Sequence, residues 1–366
     1  MSTKLNIAPI NTWLKTNKKP LVISGPCSAE SYEQLYSTCK KLSMIGVEII
    51  RAGVWKPRTR PGTFEGNGEE ALKWIKDIKK ELKLKFTVEV ANPKHVELSL
   101  KYGVDILWIG ARTTVNPFSV QEIADSIQGS NVPVLVKNPI NPDLSLWIGA
   151  FERLNKVGIK KIGAIHRGFS STDKSKYRYV PMWKIPIDLK SNFPNLPIIC
   201  DPSHICGNRK MIFDISQKAL DLDYDGLIIE SHIDPDNAWS DSKQQITPNN
   251  LSDIINNLKT KNKNEKNQNY KILLEELRDL IDNVDRDLIE ILSQRFKLVG
   301  KIAEFKEDQE LTIFQVKRWN EIFESRKKWS ASKKLDINFI EELYKLIHIE
   351  SIKFQTELLK SKNNKV

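Results

Sequence analysis

The chain lacks the features that would tie it to a membrane or a secretory route. Among its 366 residues no run approaches the roughly 18 uninterrupted apolar positions that a membrane-crossing helix needs. Its first residues, Met1-Ser-Thr-Lys-Leu-Asn-Ile7, carry neither the apolar core nor the small-residue cleavage site of a signal peptide. Cysteine is scarce: Cys27, Cys39, Cys200 and Cys206 are all there are. So few, in no framework spacing, do not build a disulfide scaffold. From these absences a cytoplasmic chain with no membrane partner is expected. The net charge is +11, yet the excess is spread over the large front part and gathers in no stripe. No helix-turn-helix, zinc finger or RNA-binding aromatic motif is present, so no nucleic-acid partner is expected.

Apolar content of 40% and charged content of 28% are ordinary for a globular protein. The texture changes near residue 259. Lys259-Thr-Lys-Asn-Lys-Asn-Glu-Lys-Asn-Gln-Asn269 is polar and of low complexity, as a linker is. This predicts a domain over 1–258, a linker over 259–269 and a second domain over 270–366. The first 18 residues are too short for a regulatory fold of their own, so any built-in control is expected from the C-terminal part.

The front part offers eight strand-like runs: Pro20–Ser24, Val47–Ile50, Phe86–Val90, Asp105–Ile109, Val132–Val136, Lys161–Ile165, Pro197–Cys200 and Gly226–Ile229. Helical stretches such as Glu69–Leu82, Pro93–Tyr102 and Val120–Gln128 lie between them. Eight β-α repeats predict an α/β fold, a (β/α)8 TIM barrel, whose active site forms at the C-terminal ends of the strands. Each predicted strand is followed by a chemically useful side chain. In order these are Cys27, Arg51, Glu89, Arg112, Lys137, Arg167, His204 and Glu230. Taken singly, each reads as a surface salt bridge or a buried polar group. The full set does not.

Two groups separate by type. Arg51, Lys56, Arg112, Lys137 and Arg167 are cationic, and cations desolvated together need a multiply charged anion between them. Arginine forks match phosphate and carboxylate geometry. The segment Arg51-Ala-Gly-Val-Trp-Lys-Pro-Arg-Thr-Arg60, stiffened by Pro57 and Pro61, is the densest part of this group. Cys27, His204, Glu230 and Asp241 form the second group. Thiolate, imidazole and carboxylates suit a first-row divalent metal ion of the Mn, Fe, Co or Zn class. Strands one, seven and eight are neighbours in a closed barrel, which brings these four within reach of one another.

Five motifs, Gly25-Pro-Cys-Ser28, Lys56-Pro-Arg-Thr59, Ile109-Gly-Ala-Arg112, Asp201-Pro-Ser-His204 and Ser240-Asp-Ser-Lys-Gln-Gln245, resemble the type I 3-deoxy-D-arabino-heptulosonate 7-phosphate (DAHP) synthases over about residues 19–258. The resemblance implies condensation of phosphoenolpyruvate with erythrose 4-phosphate, the first step of the shikimate pathway. It implies Cys27, His204, Glu230 and Asp241 as metal ligands. Arg51, Lys56, Ala111, Arg112, Lys137 and Arg167 would hold phosphoenolpyruvate, with Lys56 and Glu89 as catalytic groups, Glu89 positioning water. Arg58 and Thr59 would take the phosphate of the sugar. The related 3-deoxy-octulosonate 8-phosphate synthases typically carry Lys-Ala-Asn-Arg where this chain has Lys-Pro-Arg-Thr, which favours the four-carbon acceptor.

After the linker only helical periodicity remains. Leu273, Leu277, Leu280, Val284, Leu288, Leu292, Val299 and Ile302 step by three, four or seven, the mark of a long amphipathic helix. A second helix is predicted over Val316–Lys327, and a third from the N-cap Asp336 to about Leu359. Periodicity alone favours a dimerising hairpin. The charges add to this. Arg295 and Lys306 share a helix face. Arg278 precedes Arg295 by roughly 25 Å along the helix at ~1.5 Å per residue. One small ligand gripped by both therefore requires Arg278 to come from a partner chain.

Leu277-Arg-Asp-Leu-Ile-Asp-Asn-Val-Asp285, with Arg295, Lys306, Arg318, Ser351 and Gln355, resembles the all-helical chorismate mutases over about residues 270–360. The resemblance implies a small all-α three-helix domain that dimerises and rearranges chorismate to prephenate. Arg278, Arg295 and Arg318 would hold the carboxylates, with Gln315 and Ser351 completing the substrate site. Lys306 and Gln355 would act as catalytic groups on the breaking ether bond. Gln315 and Trp319 stand where the commoner pattern has acids, which bears on efficiency more than on ligand binding. The leading expectation is a bifunctional aromatic-pathway enzyme, a homodimer or higher homo-oligomer, with prephenate as a feedback ligand. Two alternatives are a synthase whose tail only senses prephenate or chorismate, and an octulosonate synthase with a dimerisation tail.

Overall fold

A computed structural model describes residues 4–14, 20–56, 62–172, 175–260 and 268–363, without the side chains of 268–272 and 361–363. The chain divides into two compact units, Met1–Lys263 and Asn264–Val366. In the first, eight parallel strands close into a barrel: β1 (Leu21–Gly25), β2 (Ile49–Arg51), β3 (Lys85–Val90), β4 (Ile106–Ile109), β5 (Val134–Lys137), β6 (Ile162–His166), β7 (Ile198–Cys200) and β8 (Gly226–Glu230). Each pairs with its sequence neighbours, and β8 returns to β1 with Gly25 opposite Glu230. The runs expected from sequence recur in number and order, no bound moving by more than two residues.

The strands read as near-continuous apolar runs because both of their faces are buried. Alternate residues nonetheless go to two different cores. Leu21, Ile23, Ile49, Ile106, Trp108, Leu135, Ile165, Ile199 and Ile228 fill the inside of the barrel, joined by Leu14 from the N-terminal lead. Ile50, Val88, Leu107, Val134, Val136, Ala164, Leu227 and Ile229 pack outward against the helical layer. Side chains repeat every two residues along a strand. Two steps on from the inner positions Ile49, Leu135, Ile165, Ile199 and Ile228 come Arg51, Lys137, Arg167, Asp201 and Glu230. The same parity that fills the core therefore aims these charges inward at the C-terminal rim. A one-residue slip would turn them all to the helix side.

Several helices of this unit begin with Asn, Asp or Thr followed by proline, a favoured start because the cap accepts an orphan N–H and proline lacks one. Asn92, Asn116, Asp201 and Thr247 each accept a backbone N–H in this way. The Asn116 cap starts its helix at Pro117, earlier than the expected Val120. The expected helix Glu69–Leu82 is found with the same bounds.

The second unit holds helices Gln268–Asp308, Val316–Ser332 and Ile337–Asn363. The third begins just after Asp336, whose Oδ1 accepts from Phe339 N at 2.7 Å. Val299, Ala303, Ile322, Phe323 and Ile340 are buried within the unit. Gly300 faces Phe354 and Leu358, where the first and third helices meet. Much of the periodic apolar row is not covered: Leu280 is 60%, Ile281 60% and Val284 65% exposed. Most of the expected linker, residues 261–267, lies outside the described residues.

Candidate active site

The C-terminal ends of the barrel strands surround a cavity of about 230 Å³. Of the residues expected at this site, Lys56, Glu89, Ala111, Arg112, Lys137, Arg167, His204 and Asp241 line it, and Ile140, Arg178 and Tyr179 join them. Cys27, Arg51 and Glu230 lie buried behind that wall. Arg58 and Thr59 fall outside the described residues.

Opposite charges hold the buried cations. Arg51 Nη2 stands 3.1 Å from Glu230 Oε1, and Lys137 Nζ 3.1 Å from Asp201 Oδ2. Trp108 supports both from the inner core. Its ring lies 5.3 Å from the Arg51 guanidinium and 5.6 Å from Lys137 Nζ, within cation–π range. The same indole donates from Nε1 to Glu89 Oε2 at 2.9 Å. Glu89 is pressed from the other side. A Cβ at Gly110 would lie 2.1 Å from Glu89 Oε1, so glycine at this position leaves the carboxylate its place.

The mixed donor group is brought together by the neighbouring strands β7, β8 and β1. Cys27 Sγ lies 3.2 Å from Asp241 Oδ2, and His204 Nε2 lies 3.9 Å from Glu230 Oε1. Among the described residues no three such side chains stand in a ligating arrangement. The chemistry of the set nonetheless suits a cation. Lys56 Nζ sits 2.7 Å from Cys27 Sγ and 3.9 Å from Asp241 Oδ2, so these two donors already hold a positive charge. Glu230 Oε1 is buried and accepts no well-directed hydrogen bond. His204 Nδ1 faces Asp201 Oδ2 at 2.8 Å, which leaves Nε2 free to ligate.

Burial lowers the pKa of His204 against the pull of Asp201, so the imidazole is neutral near pH 7. Burial also pushes the Cys27 thiol up to about 12, Glu230 and Asp241 adding to it and Lys56 opposing. For Asp241 and Glu230 burial likewise pushes the pKa up, but it is outweighed. Lys56, His204 and Arg178 hold Asp241 below the usual carboxylate range, and Arg51, His204 and Lys56 do so for Glu230. Asp201 is likewise ionised, its burial overcome by His204 and Lys137.

In the second unit, Arg295 Nη1 donates to Ser351 Oγ at 2.7 Å. Gln355 donates to Ser351 O at 3.1 Å, while its own buried Oε1 has no partner. Lys306 donates to Ile313 O. Arg318 pairs with Glu321, and Gln315 is the N-cap of the second helix without a side-chain cap bond. Arg295, Lys306 and Arg318 lie near His348. Its ring meets Trp319 edge-on at 4.6 Å. Burial first, then the charges of Arg295, Lys306 and Arg318, depress its pKa. Arg278 stands apart, exposed and paired with Glu275 at 2.6 Å.

Strand-end reading did not single out Asp201, Trp108, Arg178, Tyr179, Gln244 or His348. Asp201 and Trp108 were within reach, since each lies two residues beyond an inner position, Ile199 and Ile106. Gln244 donates to Glu230 Oε2 at 2.6 Å, and Arg178 donates to Asp241 Oδ1 at 2.9 Å and to Gln244 Oε1 at 2.8 Å. Arg178 and Tyr179 stand on a loop, and Gln244 ends a short 3-10 helix, where no periodicity points to them.

A closed parallel barrel with a cationic cavity at its C-terminal rim defines an enzyme of the (β/α)8 class that acts on a small polyanion. The family follows from comparison. Residues 9–266 match the profile of the DAHP synthetase I family, and the chain belongs to that family. Residues 277–356 match the chorismate mutase type II profile. Phospho-2-dehydro-3-deoxyheptonate aldolase of Thermotoga maritima is 31% identical over 238 residues, covering 65% of this chain and 68% of the relative. A 2-dehydro-3-deoxyphosphooctonate aldolase of Magnetococcus marinus is 25% identical over 256 residues, covering 65% and 86%. The crystal structure of the Thermotoga maritima DAHP synthase superposes with a TM-score of 0.59 at 29% identity, over 64% of this chain and 67% of that one. The chain thus carries a DAHP synthase and a chorismate mutase domain, a transferase joined to an isomerase. The octulosonate alternative is the weaker one.

The Gly110–Glu89 contact yields a test. Gly110→Ala should leave the barrel folded, because a flexible carboxylate is what must move. If Glu89 takes part in the chemistry, condensation should fall at least about ten-fold, a modest share of the loss expected when a general acid–base group is misplaced. Glu89→Gln in the same chain should add little. Losses that multiply across the two variants would show that the glycine does not act through Glu89.

Proposed function

We propose that the barrel condenses phosphoenolpyruvate with erythrose 4-phosphate, releasing phosphate, and that the helical unit rearranges chorismate to prephenate. The observation that carries the first half is the cavity whose wall combines Lys56, Arg112, Lys137 and Arg167 with Glu89, His204 and Asp241. Lys56, Arg112, Lys137 and Arg167 hold the carboxylate and phosphate of phosphoenolpyruvate, with Arg51 behind them and Ala111 giving room on the wall. Arg58 and Thr59 take the phosphate of the sugar. Glu89, held by Trp108, positions the water that attacks the carbon losing phosphate.

Cys27, His204, Glu230 and Asp241 hold a divalent ion of the Mn, Fe, Co or Zn class, Asp201 fixing the His204 ring. When bound, such an ion supplies Lewis-acid polarisation of the aldehyde. Cys27→Ala should lose metal and condensation together. Asp201→Asn should bind metal about 10- to 100-fold more weakly, as loss of an outer-shell carboxylate does. Metal content after dialysis against chelator measures both, and a fully active metal-free Cys27→Ala chain would refute the site.

The second half rests on Arg295, Lys306 and Arg318 near His348, on Ser351 bonded to Arg295 and Gln355 to Ser351, and on the uncovered apolar row of the first tail helix. A second copy of the chain covers that row and delivers Arg278 to the site, making the protein a homodimer or higher oligomer. Catalysis there is by positioning and preorganised charge, without a covalent intermediate. Arg278→Ala and Arg295→Ala should each abolish chorismate turnover and spare condensation. Mixed and allowed to exchange subunits, the two variants should regain roughly a quarter of wild-type turnover, since half of the dimers are mixed and each has one intact site. No regain would place Arg278 in its own chain's site.

The helical unit also gives the synthase a means of control, with prephenate as the ligand that lowers condensation. Equal condensation rates with and without millimolar prephenate would remove this part of the reading. The four free cysteines fit a reducing cytoplasm. Among the described residues no helix is long and apolar enough to cross a membrane.

A further inference from the structure

Tyr179 stands on the cavity wall without a part in the chemistry above. It belongs to the loop after β6, and its backbone is fixed from two sides. Phe169 N donates to Val180 O at 2.8 Å, and Val180 N to Phe169 O at 2.9 Å. Arg178 N and Tyr179 N both donate to Ile205 O, at 3.0 and 3.2 Å. Gly168 lets this strap close on the strand end. Its φ is +78°, and a Cβ there would lie 2.6 Å from Tyr179 O. These constraints bring the phenol ring against Arg167, the guanidinium carbon lying 3.5 Å from the ring centroid.

At that distance the guanidinium lies over the ring face, where cation–π attraction and stacking hold an arginine. Arg167 is 5% exposed. Its Nη1 is buried without a hydrogen-bond partner, although a buried donor left unpaired is costly. The guanidinium also hydrogen-bonds the Tyr179 side chain. A charged group whose plane is fixed, and whose Nη1 finds no acceptor among the described residues, is arranged for an anion that arrives with the ligand. Arg178 and Arg112 lie near enough to act on the same phenol. Burial raises its pKa, but Arg167, Arg178 and Arg112 outweigh this and hold it below the ordinary value.

We propose that Tyr179 is a positioning residue for the anionic substrate, its ring fixing the Arg167 plane so that the unpaired Nη1–H meets an acidic group of phosphoenolpyruvate. The proposal rests on the cavity being the phosphoenolpyruvate site. An unstacked arginine must be ordered by each ligand that binds it, at a cost in affinity. The ring removes that cost before binding, so its loss falls on affinity for phosphoenolpyruvate and not on the chemical step.

The test compares Tyr179→Leu, which removes the ring, with Tyr179→Phe, which keeps it, in the full-length manganese-loaded chain. The leucine variant should raise KM for phosphoenolpyruvate about ten-fold, which corresponds to about 1.4 kcal/mol. Its kcat and its KM for erythrose 4-phosphate should stay within about three-fold, and the phenylalanine variant should stay near wild type throughout. Calorimetric titration with phosphoenolpyruvate alone should show the same ten-fold difference. Tyr179→Asn gives the same readout if the leucine variant does not fold. An unchanged KM in the ring-less variants, or an equal loss in phenylalanine, overturns the proposal. Wild-type chain that binds phosphoenolpyruvate without condensing it would sink the functional reading alone, because the calorimetric comparison still decides the role of Tyr179.

Discussion

Positive charge forced into the closed rim of the barrel, and the carboxylates that hold it there, govern the rest of the first unit. Arg51, Lys137 and Arg167 are each 5% exposed or less. Ions taken out of water at such depth persist only when paired and hydrogen-bonded. Glu230 answers Arg51 and Asp201 answers Lys137, while Trp108 offers its ring to both cations. Among the described residues no carboxylate stands so close to Arg167, which leans on Tyr179 instead. The pairing of β8 with β1 sets Gly25 beside Glu230, so closure of the sheet also gathers the donor group. Fold and site are in this sense one constraint, since an open sheet would hold neither the ion pairs nor the donors.

This explains why so much of the barrel site was legible in the sequence. Strand parity is strict. Once Ile49, Leu135, Ile165 and Ile228 are assigned inward, Arg51, Lys137, Arg167 and Glu230 follow two residues later without further assumption. The same rule reaches Asp201 from Ile199 and Trp108 from Ile106. Trp108 was hidden because an apolar residue in an apolar run draws no notice, although its Nε1–H holds Glu89. Arg178 and Tyr179 were not legible at all. They lie on a loop whose course is set by backbone bonds to Phe169 and Ile205, and loops carry no period that marks which side chain turns inward. The start at Pro93 was legible in the sequence, whereas the Asn116 cap outranked the apolar pattern and set its helix at Pro117 instead of the expected Val120.

The helical unit obeys a weaker rule. Its periodicity marks an apolar face but not what covers that face. Leu280, Ile281 and Val284 remain 60% exposed or more, and large apolar patches of this kind belong to interfaces. Burying each such side chain is worth about 1.5 to 3 kcal/mol when complete, so a handful gives association a substantial driving force. The same helix carries Arg278 at the end away from Arg295. Covering the apolar row and completing the cationic site are therefore demands made by one helix, and the proposed homodimer would meet both.

Charge balance ties the proposed metal to the proposed substrate. Arg51, Lys56, Arg112, Lys137, Arg167 and Arg178 face Glu89, Asp201, Glu230 and Asp241, which leaves two positive charges, with His204 neutral. A divalent ion adds two more. Ligation by Cys27 removes one, because the thiolate is the ligating form. The rim then carries about three positive charges. Phosphoenolpyruvate bears one carboxylate and a phosphate of roughly −1.5 to −2 near pH 7, close to the opposite value. Without the ion the thiol keeps its proton, its pKa pushed up to about 12, and the surplus is too small for such a trianion. Metal and phosphoenolpyruvate are on this argument mutually dependent, each removing a charge imbalance that the other would face alone in a buried rim.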